Sequence, residues 1–210
     1  MSLSGFKETD FNVFKIDGLE ERMSAIQTQI QPKFKDLGDV LSADLSMLLG
    51  NEMYLHIAKH ARRKVNPPKD TWMAIAHNKR GYKKHPHFQL GLFDDHLFVW
   101  LAFIYEVPNK ATIAKSLLEQ QEELFSSLPD DYVISLDHMK KEATPLKELS
   151  DDDLTSSLVR FRDVKKAEFL VGRHLDTNSS IVQDGQALLE FTKNTYEELL
   201  PLYRVAMASE

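Results

Sequence analysis

One run limits what this chain can become. Leu97 to Tyr105 reads LFVWLAFIY, nine residues that are apolar on both faces of an extended strand. Such a run is stable only where neighbours cover both faces, as in a central sheet strand. It is too short for the ~20 apolar residues of a membrane-spanning helix. Just upstream, Phe88, Leu90 and Leu92 alternate with Gln89 and Gly91, and Asp94-Asp95 supplies a turn. The two segments predict an antiparallel hairpin.

Further short strands are predicted around it. Met53, Leu55 and Ile57 alternate with Tyr54, His56 and Ala58, which reads as a half-buried strand. Trp72–Ala76, Tyr132–Leu136 and Glu168–Leu175 are additional candidates. The flanks carry a helical period instead. Leu19, Met23, Ile26 and Ile30 lie on one helix face until Pro32 interrupts it, and Leu37, Leu41, Leu45, Leu48 and Leu49 lead to a stop at Gly50. Pro108-Asn109 opens a helix through Ala114, Leu117, Leu118, Leu124, Phe125 and Leu128. Ser150 and Asp153 make a capping pair before Leu154, Leu158 and Phe161. Leu188, Phe191, Thr195 and Leu199 give a last helix, limited by Pro201. Strands in the middle and helices outside, without regular βαβ alternation, indicate an α+β fold: a central, mainly antiparallel sheet covered by helices. No linker or repeat divides residues 1–210, so a single domain is expected.

Composition narrows the function. The chain has 210 residues, no cysteine, and a formal charge of −6. Disulfide frameworks, cysteine zinc clusters and cysteine nucleophiles are therefore excluded. The first residues lack a basic stretch followed by an apolar run, so a cytoplasmic protein with no membrane association is expected. The average charge conceals a segregation. Nine of 26 Lys/Arg but one of 32 Asp/Glu fall between His56 and His87, giving +8 there and −14 elsewhere. Five of the eight histidines lie in the same stretch.

The segment reads as two basic runs flanking the Trp72–Ala76 strand, with Pro67-Pro68 and Pro86 holding the backbone extended. Arg62, Arg63 and Arg80 present planar forks that match phosphate or carboxylate. Lys59 and Lys83 add charge, and His56, His60 and His87 can add hydrogen bonds. Tyr82, following Gly81, is the aromatic expected to be exposed for stacking. These nine residues form the predicted ligand site. Its partner is a small anionic ligand or a short nucleic acid, since the −14 remainder repels a long polyanion.

Two other readings use the same residues. Paired histidines beside cations could cleave a phosphodiester, one accepting a proton and the other donating one. A structural domain could instead pair its basic strip with an acidic partner. A metal is not expected among nine cations with only Asp70 as a local carboxylate. No cofactor is expected either: nucleotide-binding glycine loops, Gly-x-Ser-x-Gly and His-Glu-x-x-His are absent from the sequence. Asp151-Asp152-Asp153 falls at a helix start, where acids favour the positive end of the helix dipole.

The blocks HIAKHARRKVNPPKDTW, NKRGYKKHPHFQLGLF and LFVWLAFIYEVPNK resemble the YktB-like family of uncharacterised proteins of Gram-positive bacteria. The resemblance covers most of the chain. It implies a single cytosolic α+β domain and brings no catalytic residues with it.

Overall fold

The computed structural model describes residues 3–209; residues 1, 2 and 210 of the expected domain lie outside them. In chain order the elements are α1 (Glu8–Phe11), α2 (Leu19–Ala25), α3 (Gln31–Leu49), β1 (Tyr54–Ile57), β2 (Thr71–Ala76), β3 (His87–Leu92) and β4 (His96–Phe103). Then come α4 (Lys110–Glu119), α5 (Gln121–Ser126), β5 (Tyr132–Ser135), β6 (Thr144–Pro145), α6 (Asp151–Asp163), β7 (Phe169–Asp176), α7 (Ser180–Gln183) and α8 (Gly185–Met207). The strands make a seven-stranded antiparallel sheet in the order β1-β2-β3-β4-β7-β5-β6, so the fold is α+β. The apolar run is β4, at the middle of that order, and Leu97 to Ile104 are all buried. Strands β2 and β3 are buried along their whole length, beyond what the alternation in β3 predicts.

The chain divides into two compact units. The first comprises Met1–His77, Gln89–Val99 and His174–Asn194. Here the helical period crosses Pro32 rather than stopping at it. A π-helical turn, Ile26–Ile30, precedes α3, and Pro32 sits in the first turn of α3, where its missing N–H is not needed. Gly50 ends α3 in the left-handed region at φ 71°, and its N–H donates to the Ser46 carbonyl at 3.0 Å. Gly38 lets α3 lie close to β1 and β2. A Cβ there would come within 2.5 Å of Leu55 Cδ1 and 2.9 Å of Met73 Sδ. Strands β1 and β2 pair from Tyr54↔Ala76 to Ile57↔Met73. The amino-terminal segment carries core residues that periodicity did not single out, among them Phe6, Phe11 and Phe14.

The second unit comprises Asn78–Phe88, Trp100–Arg173 and Thr195–Glu210. Helices α4 and α6 pack together, and Phe103, Phe125 and Phe161 gather around Phe169. The helix expected from Pro108 to Leu128 is broken at Gln120 into α4 and α5. Ser150 caps α6 as its sequence predicts: Asp153 N–H donates to Ser150 Oγ at 3.2 Å, and Asp153 Oδ2 accepts from the Ser150 N–H at 3.1 Å. Helix α8 corrects the limit placed at Pro201, because it continues to Met207. Proline removes one helical hydrogen bond. The residues past it, Leu202, Tyr203 and Ala206, are buried and hold the helix on course. Tyr203 and Tyr196 both pack on Phe88, at 5.0 and 4.8 Å between ring centroids.

A histidine pair in the first unit sets a pH limit on stability. The rings of His96 and His174 lie 4.2 Å apart, and Asp95 Oδ1 is 2.7 Å from His96 Nδ1. Burial, reinforced by neighbouring His96, pushes the His174 pKa from its ordinary 6.5 down to about 3. The unfolded chain therefore binds a proton at His174 that the folded protein refuses. Stability contributed by the neutral ring is full above pH 6.5 and is lost as pH falls toward 3. The limiting slope is about 1.4 kcal/mol per pH unit for one proton. Urea unfolding between pH 7 and pH 4 should show this loss in the wild type and a flatter profile in His174→Gln. Equal slopes in the two proteins would refute the assignment.

Candidate functional site

In the first unit, the predicted basic segment becomes a loop pinned at both ends. Strand β1 stops at Ile57, where the Ala58 N–H still donates to the Trp72 carbonyl at 2.9 Å. The chain then turns. His60 adopts φ 49°, so it does not continue the face of His56 as an extended strand would require. Its Nε2 lies 3.1 Å from Thr71 Oγ1, and its ring stands edge-on to Trp72. His56 remains half-buried in β1, opposite Ala74. At the far end, the buried Arg22 donates from Nη1 to the Pro68 carbonyl at 2.8 Å and from Nε to the Ile16 carbonyl at 2.9 Å.

Four cations stand between these anchors, and a fifth, Lys69, directly follows Pro68. Lys59, Arg62, Lys64 and Lys69 are exposed and Arg63 is half-buried. None of the five is in an ion pair among the described residues. The nearest acid in sequence, Asp70, is only 1% exposed. The loop from 58 to 70 therefore carries a formal charge of +4, with its one acid turned inward.

The other part of the segment lies in the second unit. Gly81, at φ 72°, opens a single 3₁₀ turn, Tyr82–Lys84. Arg80 is exposed, whereas Tyr82 and Lys83 are half-buried. His87 is fully buried at the start of β3, with Nδ1 2.8 Å from the His85 carbonyl. The Tyr82 ring packs edge-on against it at 5.0 Å. Two expectations change here. His87 is enclosed because Pro86 delivers it into a wholly buried strand, and Tyr82 spends its ring on His87 instead of standing fully exposed. The phosphodiester reading loses one of its histidines for the same reason.

A second constellation, absent from the sequence expectations, lies in the second unit. Strands β5 and β7 pair with Ser135 opposite Leu170. Asp137-His138 follows β5 and Glu168 precedes β7, so the antiparallel register returns all three to the same end of the strand pair. Glu168 is 4% exposed. Its Oε2 accepts from the His138 backbone N–H at 2.8 Å and lies 2.7 Å from His138 Nδ1. Its Oε1 accepts from the Tyr105 N–H at 3.4 Å. Asp137 Oδ1 accepts from the Met139 N–H at 3.0 Å, and Lys140 Nζ stands 3.6 Å from Oδ2.

These groups line an open cleft of about 620 Å³ together with Tyr105, Arg160 and Lys166. Nearby, Lys110 donates to the carbonyls of Val164 and Ala167 past the end of α6. Burial lowers its pKa, and the charge of Glu168 opposes that shift. Asp137 and Glu168 are 31 positions apart, and nothing in local periodicity pairs them. Only the β5–β7 register does.

The geometry defines a class first: an α+β protein with an antiparallel sheet, a pinned basic loop and a cleft holding a carboxylate–imidazole pair. Comparison with known proteins gives the family. The model of the domain of unknown function DUF1054 matches residues 6–203. A UPF0637 protein of Shouchella clausii is 61% identical, over 100% of this chain and 98% of its own length. One from Oceanobacillus iheyensis is 56% identical over 99% and 98% of the two chains. One from Listeria monocytogenes is 49% identical over 99% of this chain and all of its own. The chain belongs to this DUF1054/UPF0637 family of Gram-positive bacteria, as the sequence resemblance implies. Among the described residues no helix is long and apolar enough to cross a membrane.

Arg22 is the testable anchor of the loop. Its removal leaves two carbonyls without their charged donor, and such hydrogen bonds are worth about 1.5–3 kcal/mol each. Arg22→Met should lower the urea unfolding free energy by roughly 2–3 kcal/mol and speed limited proteolysis between residues 58 and 70. A variant with wild-type stability and cleavage would show that the loop is not held by Arg22.

Proposed function

We propose that this is a cytoplasmic protein that binds a small phosphate-bearing anion through the 58–70 loop. Lys59, Arg62 and Arg63 are the principal contacts, with His56 and His60 in the same unit; Arg80, Tyr82, Lys83 and His87, which complete the set read from the sequence, belong to the second unit and are left out of this loop site. The observation that carries the reading is the set of five loop cations without an ion pair. Some cations of the chain do meet acids, such as Lys33 with Asp10, Lys35 with Asp39, Arg173 with Asp131 and Lys193 with Asp44; the loop is distinct in holding, among the described residues, five unpaired ones between Lys59 and Lys69. Like charges confined to one loop repel over a Debye length of about 8 Å, and a polyvalent anion relieves that repulsion. Arg62 and Arg63 add bidentate donors, which a phosphate accepts at two oxygens.

The catalytic alternative is weaker, because His60 is tied to Thr71 and Trp72 and His87 is enclosed. The acidic-partner alternative uses the same loop, and the same experiment separates it. Titrate the full chain with inorganic pyrophosphate and with a short single-stranded oligonucleotide at low and high salt. A pyrophosphate complex weakened at least about tenfold in Arg62→Ala/Arg63→Ala supports the reading. A steep salt slope for the oligonucleotide alone would shift the ligand to nucleic acid. Absence of binding to either probe, or equal binding by the variant, overturns the proposal.

A further inference from the structure

We infer that Asp137, His138 and Glu168 form a divalent metal site at the floor of the cleft, suited to a six-coordinate ion such as Mn²⁺. The three residues each offer one ligand atom, and those atoms lie within 4.8 Å of one another. Two carboxylate oxygens and one imidazole nitrogen are donors for a borderline first-row ion rather than for Ca²⁺ or Mg²⁺.

The closest two donor atoms are already within reach of a shared ion. Glu168 Oε2 and His138 Nδ1 are 2.7 Å apart. Ligands at right angles on bonds of about 2.0–2.2 Å stand about 2.8–3.1 Å apart, whereas a tetrahedral ion needs about 3.3 Å or more. The observed pair is at hydrogen-bond distance, so the two atoms separate by a few tenths of an ångström to take an ion at right angles and by more to take a tetrahedral one. A metal takes the place of the proton between these two atoms, and the neutral imidazole then carries its proton on Nε2.

The surroundings are consistent with a working site rather than a buried staple. Glu168 sits deep, with its side chain 5% exposed, while Asp137 stands at the rim with its side chain 41% exposed. The protein thus supplies one side of the coordination sphere and leaves positions toward the cleft. Arg160 and Lys166 line the same cleft and are in no ion pair among the described residues. They can hold an anionic ligand that completes the metal's sphere. The cost of burying the Glu168 carboxylate is met in part by His138, and a divalent ion meets it more fully.

The test uses the full chain stripped of metal, with MnCl₂ as the probe and the electron paramagnetic resonance signal of free Mn²⁺ as the readout. The wild type should remove one equivalent of Mn²⁺ from the free signal. Asp137→Asn, a change at the rim, and Glu168→Gln, which keeps an oxygen acceptor for the Tyr105 and His138 amides, should each weaken binding by about tenfold or more. The free-ion signal undiminished in the wild type overturns the assignment. So does binding unchanged in folded Asp137→Asn, or complete displacement of Mn²⁺ by a tenfold excess of Mg²⁺, which would point to an all-oxygen site elsewhere.

Discussion

A sheet interior with no room for charge governs this structure. Strands β2, β3 and β4 are buried almost throughout, and the side chains they present are overwhelmingly apolar. An unpaired charge in such a setting would cost several kcal/mol. The chain's charged residues therefore stand mostly in loops, in helix faces or at strand ends, and Arg173, inside β7, is paired with Asp131. The basic loop after β1 and the carboxylate–imidazole cleft at the ends of β5 and β7 are two results of the same exclusion.

Several buried charged groups obey that constraint. Arg22 gives its charge to two backbone carbonyls, Lys33 is shared between Asp10 and the Gly5 carbonyl, and Glu168 collects two backbone amides and an imidazole. Lys110 is set on two carbonyls beyond the end of α6, where the negative end of the helix dipole favours a cation. The five cations of the 58–70 loop are distinguished by their concentration: within one loop, none is in an ion pair among the described residues. That concentration of solvent-facing charge is what the proposed anion binding rests on.

Much of the fold was legible from residue periodicity. The two-faced apolar run located β4, alternation located β1 and β3, Gly50 marked the end of α3, and Ser150 with Asp153 marked the start of α6. Sequence pattern and structure part where tertiary packing overrides a local rule. Pro32 fits a first helical turn and Pro201 is carried inside α8 by buried neighbours, so neither proline ends its helix. The site was legible only in part. Charge counting found the cations of the loop, yet it could not foresee the turn at His60 or the burial of His87. Glu168 and His138 gave no local signal, because a strand pairing across more than 30 positions brings them together.

The claim on which the functional account rests is that the loop cations are held ready for an anion. Nitrogen-15 NMR of arginine Nε groups reads this directly. On addition of inorganic pyrophosphate, the account predicts saturable shifts of the Arg62 and Arg63 Nε–H resonances, with that of Arg22 nearly fixed on its carbonyls. Arg62 and Arg63 resonances that stay in place while the probe saturates, or shifts spread evenly over every exposed arginine, would contradict it.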